Sequence, residues 1–586
     1  MAADLTVILA TFQEQGWDAT GTKRLKKFDP RRQFNPQIRE QLTVRVRVAA
    51  SAAPGSREVR VLTPDGLSNP MVFLVGTAEE LREVEPNDRE LPDDAPVLSD
   101  GVVLNGQIMP GDADRFRVPL QKGERVCFTV QARALVPYLA DAVPGWFQAV
   151  LALRDSTGRQ VAYVDDHLFD PDPVLAYQAP EAGDYLLEIR DSIYRGREDF
   201  IYRVTRAPDA GAKMSAQPQP DDLQESEPNE SASAARELPV GRTAFARIDR
   251  PGDCDVWRFT GRAGQRVVAE IHARRIGSPL DALLELRDAA GKRLALQDDS
   301  VDRGEGLLTH HADARLACAL PADGDYAIEV RDVQQRGGED YAYRLELRPE
   351  QPGFDLRTTP SAVNIAAGGR AVVVVHLLRR DGFDGPVDLA LAGAPPEWRL
   401  EGARIPAGAD RVRCTLFLPR SAAAGTVPLA LEGKGMGNLV RPAEPAEDMM
   451  QAFLYRHLVR AGQGLLHVTG PAKFALKVSE PAFVASGETL RVPAGGSVTL
   501  VLRNALGKKF WGTPAPELSE PPAGVTLTDL KLQAEQNRLE VTLRVDPAAK
   551  PGATGNLILH LYSNAARKNI LATAPAIPFE IVAAAP

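Results

Sequence analysis

The sequence predicts an all-β protein built as a multidomain array of antiparallel β-sandwiches. Short runs rich in Val, Leu, Ile, Phe and Tyr are separated by Gly, Asp and Pro at intervals of about 8–12 residues, a spacing typical of sandwich strands. In the run Tyr185–Asp191, apolar residues alternate with Glu188 and Arg190, and the run Tyr326–Asp332 alternates in the same way. Such alternation is expected where one face of a sheet is buried and the other is wet.

Length and composition support several folded domains. At 586 residues the chain is too long for one hydrophobic core, and roughly 100–150 residues per domain predict about four or five domains. Charged residues make up 25% and hydrophobic residues 44% of the chain. These values are ordinary for a folded soluble protein, so neither wholesale disorder nor a membrane protein is expected.

Charge and hydropathy limit the classes of partner. Lys and Arg number 69 and Asp and Glu number 78, so the formal net charge is −9. No Lys/Arg stripe with interleaved aromatic residues occurs, so no nucleic-acid partner is expected. No apolar run approaches the ~20 residues that a membrane span requires. The N-terminus carries Asp4 where a signal peptide would be basic, so no export signal is recognised.

Two segments of the chain match each other in register. The matched stretches are Glu83–Asp88 with Glu225–Glu230, Pro110–Val118 with Pro251–Phe259, Gly183–Asp191 with Gly324–Asp332, and Arg195–Val204 with Arg336–Leu345. The last three pairs share an offset of 141 positions (255 − 114 = 141), and the first differs from it by one (227 − 85 = 142). The sequence therefore predicts two copies of one module.

These motifs carry a resemblance to a known family. The stretches EPND (Glu85–Asp88), GDADRF (Gly111–Phe116) and GDYLLEIRD (Gly183–Asp191) resemble the bacterial pre-peptidase C-terminal domain, a jelly-roll-like β-sandwich related to the collagen-binding domains of clostridial collagenases. The resemblance covers both copies, roughly residues 80–206 and 222–348. It implies an appendage of extracellular proteins that often follows a peptidase. The flanking segments resemble immunoglobulin-like sandwiches, and the mosaic is similar to large secreted proteins of planctomycete-type bacteria.

The predicted domain limits follow from the repeat and from composition. Residues 208–221, dense in Ala, Pro, Gly and Asp, are predicted to be a linker. The predicted domains are a partial immunoglobulin-like segment at 1–77, the two matched sandwiches at 78–207 and 222–350, and immunoglobulin-like sandwiches at 351–470 and 471–586. The first segment is too short for an independent sandwich, so we expect a truncated reading frame, a fragment, or a sheet that docks onto the next domain.

The resemblance also implies calcium as a cofactor, because some members of the family bind it through the acidic segment before the first strand. The matching residues in the first copy are Glu83, Glu85, Asn87, Asp88, Asp112 and Asp114. Those in the second copy are Glu225, Glu227, Asn229, Asp253 and Asp255. In the second copy Glu230 replaces Asp88, and its longer side chain is less suited to a crowded ligand position.

Two interpretations of these residues stay open. Calcium takes six to eight oxygen ligands, which converging carboxylates and carbonyls can supply. Alternatively, Glu-Pro-Asn is a cap and turn signal, and the Gly-Asp pair opens a tight turn. Other acidic clusters are expected to be solvated turns, namely Asp165, Asp166, Asp170 and Asp172 in the first copy and Asp298, Asp299 and Asp302 in the second.

No standard catalytic arrangement is found. The motifs HExxH, GxSxG and GxxxxGK[ST] are absent from the sequence. The histidines His272, His376, His467 and His560 lie in strand-like runs and are predicted to be structural, and the pair His310 and His311 lacks further ligands at metal-site spacing. The four cysteines show no regular spacing; three lie in strand-like runs and Cys254 lies in a polar turn. The chain is predicted not to be an enzyme.

One segment differs from its surroundings. In Pro445–Val459, apolar residues recur at helical spacing, at Met449, Met450, Phe453, Leu454 and Leu458. This spacing predicts a short helix packed on the third sandwich. The alternative is a partner-docking helix that presents Tyr455 and His457 outward.

The sequence thus predicts a non-catalytic, extracytoplasmic binding or structural protein that is stabilised by calcium and whose partner is an extracellular polymer or protein. The alternative is an accessory part of a secreted peptidase, C-terminal, targeting or substrate-binding. A hydrolase that uses the clusters around Asp165 or Asp298 is the third hypothesis. The family implies a periplasmic or secreted location although no signal peptide is recognised.

Overall fold

The computed structural model describes residues 5–7, 46–63, 66–88, 91, 95–137, 145–208, 217–300, 302–305, 313–451, 455–507, 509–510, 515–563 and 570–584. Within these residues nearly all regular structure is β-strand, which confirms the all-β prediction. The described helices are short: one α-helix, Ala482–Ala485, and four 3-10 helices, Arg274–Ile276, Arg303–Glu305, Met436–Asn438 and Ala534–Gln536.

The first sandwich is formed by nine strands in two sheets. The five-stranded sheet has the order β13-β10-β15-β8-β7 and the four-stranded sheet has the order β12-β11-β14-β9. Side chains from both sheets meet in one core, in which Phe116, Phe128 and Leu187 are at most 1% exposed. The strands are β7 (Glu79–Arg82), β8 (Val102–Gln107), β9 (Asp114–Leu120), β10 (Arg125–Gln131), β11 (Ala149–Arg154), β12 (Gln160–Val164), β13 (Val174–Gln178), β14 (Gly183–Asp191) and β15 (Ile201–Pro208).

The second sandwich has the same strand order. Its sheets are β23-β20-β25-β18-β16 and β22-β21-β24-β19-β17, which repeat the first sandwich strand for strand and add β17 at one edge. In the first sandwich a parallel bridge between Val97 and Arg117 takes the place of β17. The strands are β16 (Leu223–Gln224), β17 (Arg236–Glu237), β18 (Arg242–Arg247), β19 (Asp255–Gly261), β20 (Arg266–His272), β21 (Ala282–Asp288), β22 (Arg293–Gln297), β23 (Arg315–Ala319), β24 (Gly324–Asp332) and β25 (Ala342–Pro349).

The third sandwich pairs a nine-stranded sheet with a three-stranded sheet. The large sheet has the order β30-β32-β28-β26-β35-β34-β29-β31, with β36 paired to β35, and the small sheet has the order β27-β37-β33. The strands are β26 (Gly353–Thr359), β27 (Ala362–Ala367), β28 (Arg370–Arg380), β29 (Val387–Leu391), β30 (Arg399–Glu401), β31 (Arg404–Ile405), β32 (Arg411–Phe417), β33 (Gly425–Pro428), β34 (Leu431–Lys434), β35 (Val440–Gln451), β36 (Tyr455–Arg460) and β37 (Leu465–Pro471).

The fourth sandwich has one four-stranded and two three-stranded sheets around its own core. The sheet orders are β38-β40-β43-β42, β39-β47-β44 and β41-β45-β46. The strands are β38 (Leu476–Glu480), β39 (Leu490–Pro493), β40 (Ser497–Asn504), β41 (Ala515–Leu518), β42 (Val525–Gln533), β43 (Arg538–Val545), β44 (Thr554–Leu557), β45 (Leu559–Tyr562), β46 (Ile570–Thr573) and β47 (Ile577–Val582).

The segment before the first sandwich contacts the third sandwich. One of the expectations for this segment places it on the next domain, which is the first sandwich. Asn364, at β27, accepts the backbone N–H of Leu67 at 2.8 Å and donates to its carbonyl oxygen at 2.9 Å. Arg60 donates to the carbonyl oxygen of Gln463 at 2.7 Å. The strands of this segment are β1 (Leu5–Val7), β2 (Val46–Val48), β3 (Gly55–Val59), β4 (Leu62–Thr63), β5 (Gly66–Leu67) and β6 (Met71–Val75).

The predicted helix at Pro445–Val459 is wrong. The segment forms an antiparallel hairpin in which Met449 pairs with His457. His457 is 5% exposed, so it is not presented to a partner. The side chain of Tyr455 lies outside the described residues, as do His310 and His311 and residues 209–216 of the predicted linker.

Other features of the sequence take ordinary places in the strands. Cys127, Cys318 and Cys414 lie on β10, β23 and β32. Cys254, half-buried before β19, has its pKa raised to about 11 by burial, which disfavours the reactive thiolate. In the described part of the chain, no helix has the length and hydropathy to traverse a bilayer.

Candidate metal centre

Three carboxylates from two separate segments meet at one edge of the first sandwich. Glu83 and Glu85 follow β7 of one sheet, and Asp114 begins β9 of the other. One carboxylate oxygen from each residue lies within 4.8 Å of the oxygens of the other two. Asp114 is buried, Glu83 is half-buried and Glu85 is exposed, so the cluster opens to solvent beside Glu85.

Hydrogen bonds hold the two deeper carboxylates in place. The backbone N–H of Gln107 donates to Oε1 of Glu83 at 2.8 Å and ties that side chain to the end of β8. The hydroxyl of Tyr202, on β15, donates to Oδ2 of Asp114 at 2.5 Å and lies 3.4 Å from Oε2 of Glu83. Tyr202 therefore fixes the buried end of the cluster.

Asn87 is buried at the same edge, and its side chain has no partner among the described residues that would offset the cost of burying it. It is 1% exposed, and its backbone N–H donates to Oε2 of Glu85 at 3.0 Å. Its side-chain Oδ1 and Nδ2 have no hydrogen-bond partner among the described residues. Buried amides are nearly always paired, so the side chain of Asn87 is free to bind an ion or a water at this edge. Asp88, by contrast, is exposed and lies outside the cluster of three.

Asp112 has a local role in the turn before β9. Its carboxylate accepts the backbone N–H of Met109 at 3.1 Å. The turn packs directly on Gly196, where an added Cβ would lie 2.0 Å from the carbonyl carbon of Met109. Gly337 is the counterpart in the second sandwich, where a Cβ would lie 2.3 Å from the carbonyl oxygen of Arg250. Glycine at both positions lets the turn approach the adjoining chain.

The second sandwich repeats the cluster. Carboxylate oxygens of Glu225, Glu227 and Asp255 lie within 4.8 Å of one another. The backbone N–H of Arg247 donates to Oε1 of Glu225 at 2.7 Å, and the hydroxyl of Tyr343 donates to Oδ2 of Asp255 at 2.7 Å. Each of these contacts has its equivalent in the first sandwich.

The surrounding residues of the second cluster differ in detail. Oδ1 of the buried Asn229 and Oδ1 of Asp253 have no hydrogen-bond partner among the residues that the structure describes. The Asp253 carboxylate accepts the backbone N–H of Asp249 at 2.8 Å through Oδ2. Glu230, which replaces Asp88, forms an ion pair with Arg250 at the surface.

Sequence reasoning missed the two tyrosines. Tyr202 and Tyr343 are buried and touch the clusters, and both lie in the matched stretches Arg195–Val204 and Arg336–Leu345. The recurrence of a tyrosine at the offset shared by the matched stretches could have identified both residues from the sequence. In the second sandwich Trp257 adds a hydrogen bond from Nε1 to the Tyr343 hydroxyl at 3.1 Å.

The clusters are electrostatically unfavourable when all their carboxyls are ionised. Burial, reinforced by neighbouring carboxylates, raises the pKa of Asp114 to about 10, that of Glu225 to about 9 and that of Asp255 to about 7. Burial also raises the pKa of Glu83 and, with repulsion from neighbouring acids, that of Glu227. A cation among these oxygens would offset both effects, because its charge stabilises the ionised carboxylates.

The donor set fits a hard divalent cation. Carboxylate oxygens dominate both clusters, and Asn87 and Asn229 add amide oxygens that lack a hydrogen-bond donor among the described residues. Calcium prefers such oxygen ligands and tolerates irregular geometry, whereas zinc prefers His and Cys. The residues present therefore fit calcium.

Two of the other acidic residues are not the solvated turns that the sequence predicted. Asp172 accepts backbone N–H groups of Ala132, Arg133 and Ala134 at 3.0, 2.7 and 3.0 Å and so caps the loop after β10. Asp302 is mostly buried and pairs with Arg380 of the third sandwich at 2.7 Å. The donors at these carboxylates offset the free-energy cost of burying them.

Fold and site together define a class of protein: an array of β-sandwiches, two of which repeat one strand order and one partly buried carboxylate cluster. No family model matches the sequence.

Two known proteins are similar to parts of the chain. A probable subtilase-type serine protease of Deinococcus radiodurans is 41% identical over 107 residues, which are 18% of this chain; the match spans only 14% of the length of that relative. A crystal structure of the pre-peptidase C-terminal domain of collagenase from Bacillus anthracis aligns with 21% of this chain and 99% of its own length, at 14% identity and a TM-score of 0.16.

Proposed function

We propose that this protein is a non-catalytic, extracytoplasmic binding or structural protein whose two matched sandwiches each bind one calcium ion. One observation carries the proposal: both sandwiches bring three carboxylates within 4.8 Å of one another beside a buried asparagine whose amide oxygen is unpaired among the described residues. Such a cluster costs free energy unless a cation neutralises it.

Glu83, Glu85, Asn87 and Asp114 would hold the ion in the first sandwich. When bound, calcium supplies positive charge that stabilises the ionised carboxylates. Glu83 and Glu85 lie on the connection that follows β7 of one sheet, whereas Asp114 begins a strand of the opposite sheet. Ligands from both sheets would join this connection to the opposite sheet through the ion. Glu225, Glu227, Asn229 and Asp255 have the same placement in the second.

Calorimetric titration of the full chain with calcium tests this proposal. We expect two bound ions per chain, one after Asp114→Asn or Asp255→Asn, and none after both substitutions. Glu181→Gln, at an exposed residue of the first sandwich, is the matched control and should keep both ions. Absence of calcium binding by the unsubstituted chain, or full binding by the double variant, would refute the metal role.

The second candidate function is an accessory part of a secreted peptidase. The match to a subtilase-type serine protease favours it. Sequencing the DNA upstream of the coding region distinguishes the two, because an in-frame peptidase domain supports the accessory role. The binding role predicts no such domain, and it predicts that the purified chain does not hydrolyse casein with or without calcium.

A further inference from the structure

The outer face of the four-stranded sheet in the first sandwich carries a row of side chains across all four strands. Strand register places Arg115 beside Glu188, Glu188 beside Ala152, and Ala152 beside Tyr163. Adjacent strands lie about 4.8 Å apart, so the row extends roughly 14 Å. It faces away from the core and is separate from the carboxylate cluster at the sandwich edge.

Positive charge on this face is not balanced. The Glu188 carboxylate, 4% exposed, accepts Nη2 of Arg115 at 2.8 Å and Nε of Arg154 at 3.1 Å, and Nε of Arg190 lies 3.9 Å from it. The sequence predicted Glu188 on a wet face, but the three guanidinium groups bury it. One carboxylate neutralises one of them, so two positive charges remain close together.

Two tyrosines flank these arginines. Tyr163 is 42% exposed and Tyr194 is 52% exposed. The guanidinium of Arg190 lies 4.5 Å from the centroid of the Tyr194 ring. The cluster therefore combines surplus guanidinium groups with exposed aromatic rings, and this combination recognises ligands that are both anionic and apolar on one face.

The second sandwich lacks this combination although its strands are arranged in the same way. There Arg287 and Arg331 are balanced by Glu285 and Glu329, with Arg287 2.6 Å from Glu285 and 2.8 Å from Glu329. Leu296 occupies the register position of Tyr163.

Other equivalent positions support the contrast. Val256 replaces Arg115, and Gln335 replaces Tyr194 (335 − 194 = 141). Two acids at the margins, Asp165 and Asp184, recur as Asp298 and Asp325 and so do not distinguish the faces.

We propose that the face formed by Arg115, Arg154, Arg190, Tyr163 and Tyr194 binds a carboxylate-bearing polysaccharide, a polymer of uronate sugars. This inference rests on the proposed binding role and names the class of ligand. The guanidinium fork matches a carboxylate, and an exposed tyrosine ring stacks on the apolar face of a pyranose. Arg115 and Tyr163 lie at opposite ends of the row, so the face can contact more than one sugar of a polymer. The surplus charge is then neutralised by the ligand.

Titration of the full chain with oligogalacturonate and with oligomannuronate tests the proposal. We expect binding of at least one of them, weakened about tenfold or more by Arg190→Gln and by Tyr163→Ser, because each removes a charge-assisted or stacking contact. Arg115 and Arg154 still pair with Glu188 in Arg190→Gln, so the fold is retained. The matched controls Arg331→Gln and Leu296→Ser, at the equivalent positions of the second sandwich, should bind as the unsubstituted chain does.

Several results would overturn the proposal. These are no binding of either oligosaccharide, equal weakening by the second-sandwich controls, unchanged affinity for methyl-esterified oligogalacturonate, or equal affinity for polyglutamate, which would indicate an acidic peptide. Calcium titration of the same protein without sugar, and sugar titration in chelator, separate the two proposals, because uronate oligomers bind calcium themselves. Calcium binding with no sugar binding refutes only the polysaccharide, and sugar binding with no calcium binding refutes only the metal.

Discussion

At the scale of single residues, the carboxylates of the two clusters are the groups whose charge is hardest to maintain. Asp114 and Asp255 have no exposed surface, and each receives one tyrosine hydroxyl. One donor is too little compensation for a buried ionised carboxylate. Without a cation, these groups therefore bind protons in the folded state at a pH where the unfolded chain has released them.

This proton binding predicts the pH dependence of stability. The folded-state pKa values of Asp114, Glu225 and Asp255 are raised to about 10, 9 and 7, above the ordinary 3.8 or 4.5. The folded state then retains more protons than the unfolded state, so stability is greatest below the ordinary values and falls as pH rises toward the folded ones. We expect a loss of about 1.4 kcal/mol per pH unit for each retained proton.

Thermal unfolding in chelator, followed from pH 5 to pH 9, measures this effect. The melting temperature of the cluster-bearing sandwiches should fall across that range in chelator and stay nearly constant in excess calcium. A chain carrying Asp114→Asn, Glu225→Gln and Asp255→Asn should lose the slope. An unchanged slope in that variant would show that the destabilisation arises elsewhere.

At the scale of structural elements, one aspartate organises the loop after β10 in the first sandwich and another organises the loop after β20 in the second. Asp313, fully buried, accepts backbone N–H groups of Ala273 and Arg274 at 2.9 and 2.7 Å and Nε of Arg275 at 2.7 Å. Asp172 has the same role 141 positions earlier (313 − 172 = 141). The carboxylate replaces strand partners where the backbone leaves the sheet.

Asp313→Ala should therefore destabilise the second sandwich. Removal of the carboxylate leaves several buried donors without a partner, which costs about 1–3 kcal/mol. Urea unfolding should show a lower midpoint for the transition that includes the second sandwich, with the transitions of the first and fourth sandwiches unchanged. Asp298→Ala, at an exposed aspartate of the same sandwich, should leave the midpoint within error. Equal midpoints for the two variants would contradict a capping role for Asp313.

The hairpin β35–β36 shows why local spacing misassigned one element. Two paired strands can place apolar residues at intervals that also suit a helix, as at Met449, Met450 and Leu458. Pairing of Ala446 with Arg460 selects the hairpin, and Ala446 and Leu458 are fully buried. Helical periodicity over a short segment cannot exclude two strands, because residues four positions apart lie on one side of a strand (period 2) as well as on one side of a helix (period 3.6).

At the scale of the whole molecule, ion pairs join the second and third sandwiches. Asp381, in the turn after β28, pairs with Arg315 and Arg348 of the second sandwich and accepts the backbone N–H of Gln351 at 3.0 Å. Burial alone would raise the pKa of the Asp381 carboxyl. The hydrogen bond from Arg348 and the attraction of its positive charge lower that pKa below its usual value. Arg380 pairs with Asp302 across the same boundary at 2.7 Å.

Asp381→Ala should uncouple the unfolding of these two sandwiches. Arg315 and Arg348 lose their shared partner, and about 2 kcal/mol of the interaction between the sandwiches should be lost. We expect one joint transition of these two sandwiches in the unsubstituted chain, and calorimetry should resolve two transitions in Asp381→Ala. Asp388→Ala breaks an exposed pair with Arg404 inside the third sandwich and serves as the control. A single unshifted transition in Asp381→Ala would show that other contacts couple the two domains.

The sequence by itself determined the all-β class, because alternation and turn residues are local properties of the chain. Through the resemblance of its repeated motifs it also predicted candidate ligands, among which Glu83, Glu85 and Asp114 lie together whereas Asp88 and Asp112 lie outside the cluster of three. Tertiary structure alone decided that Glu83 and Asp114, from opposite sheets, lie together with Tyr202 beneath them. It also decided that three arginines bury Glu188, that Asn364 holds Leu67, and that β7 pairs in parallel with β8. Each of these contacts joins residues that are distant in sequence, and strand register and packing, which no local pattern specifies, bring them together.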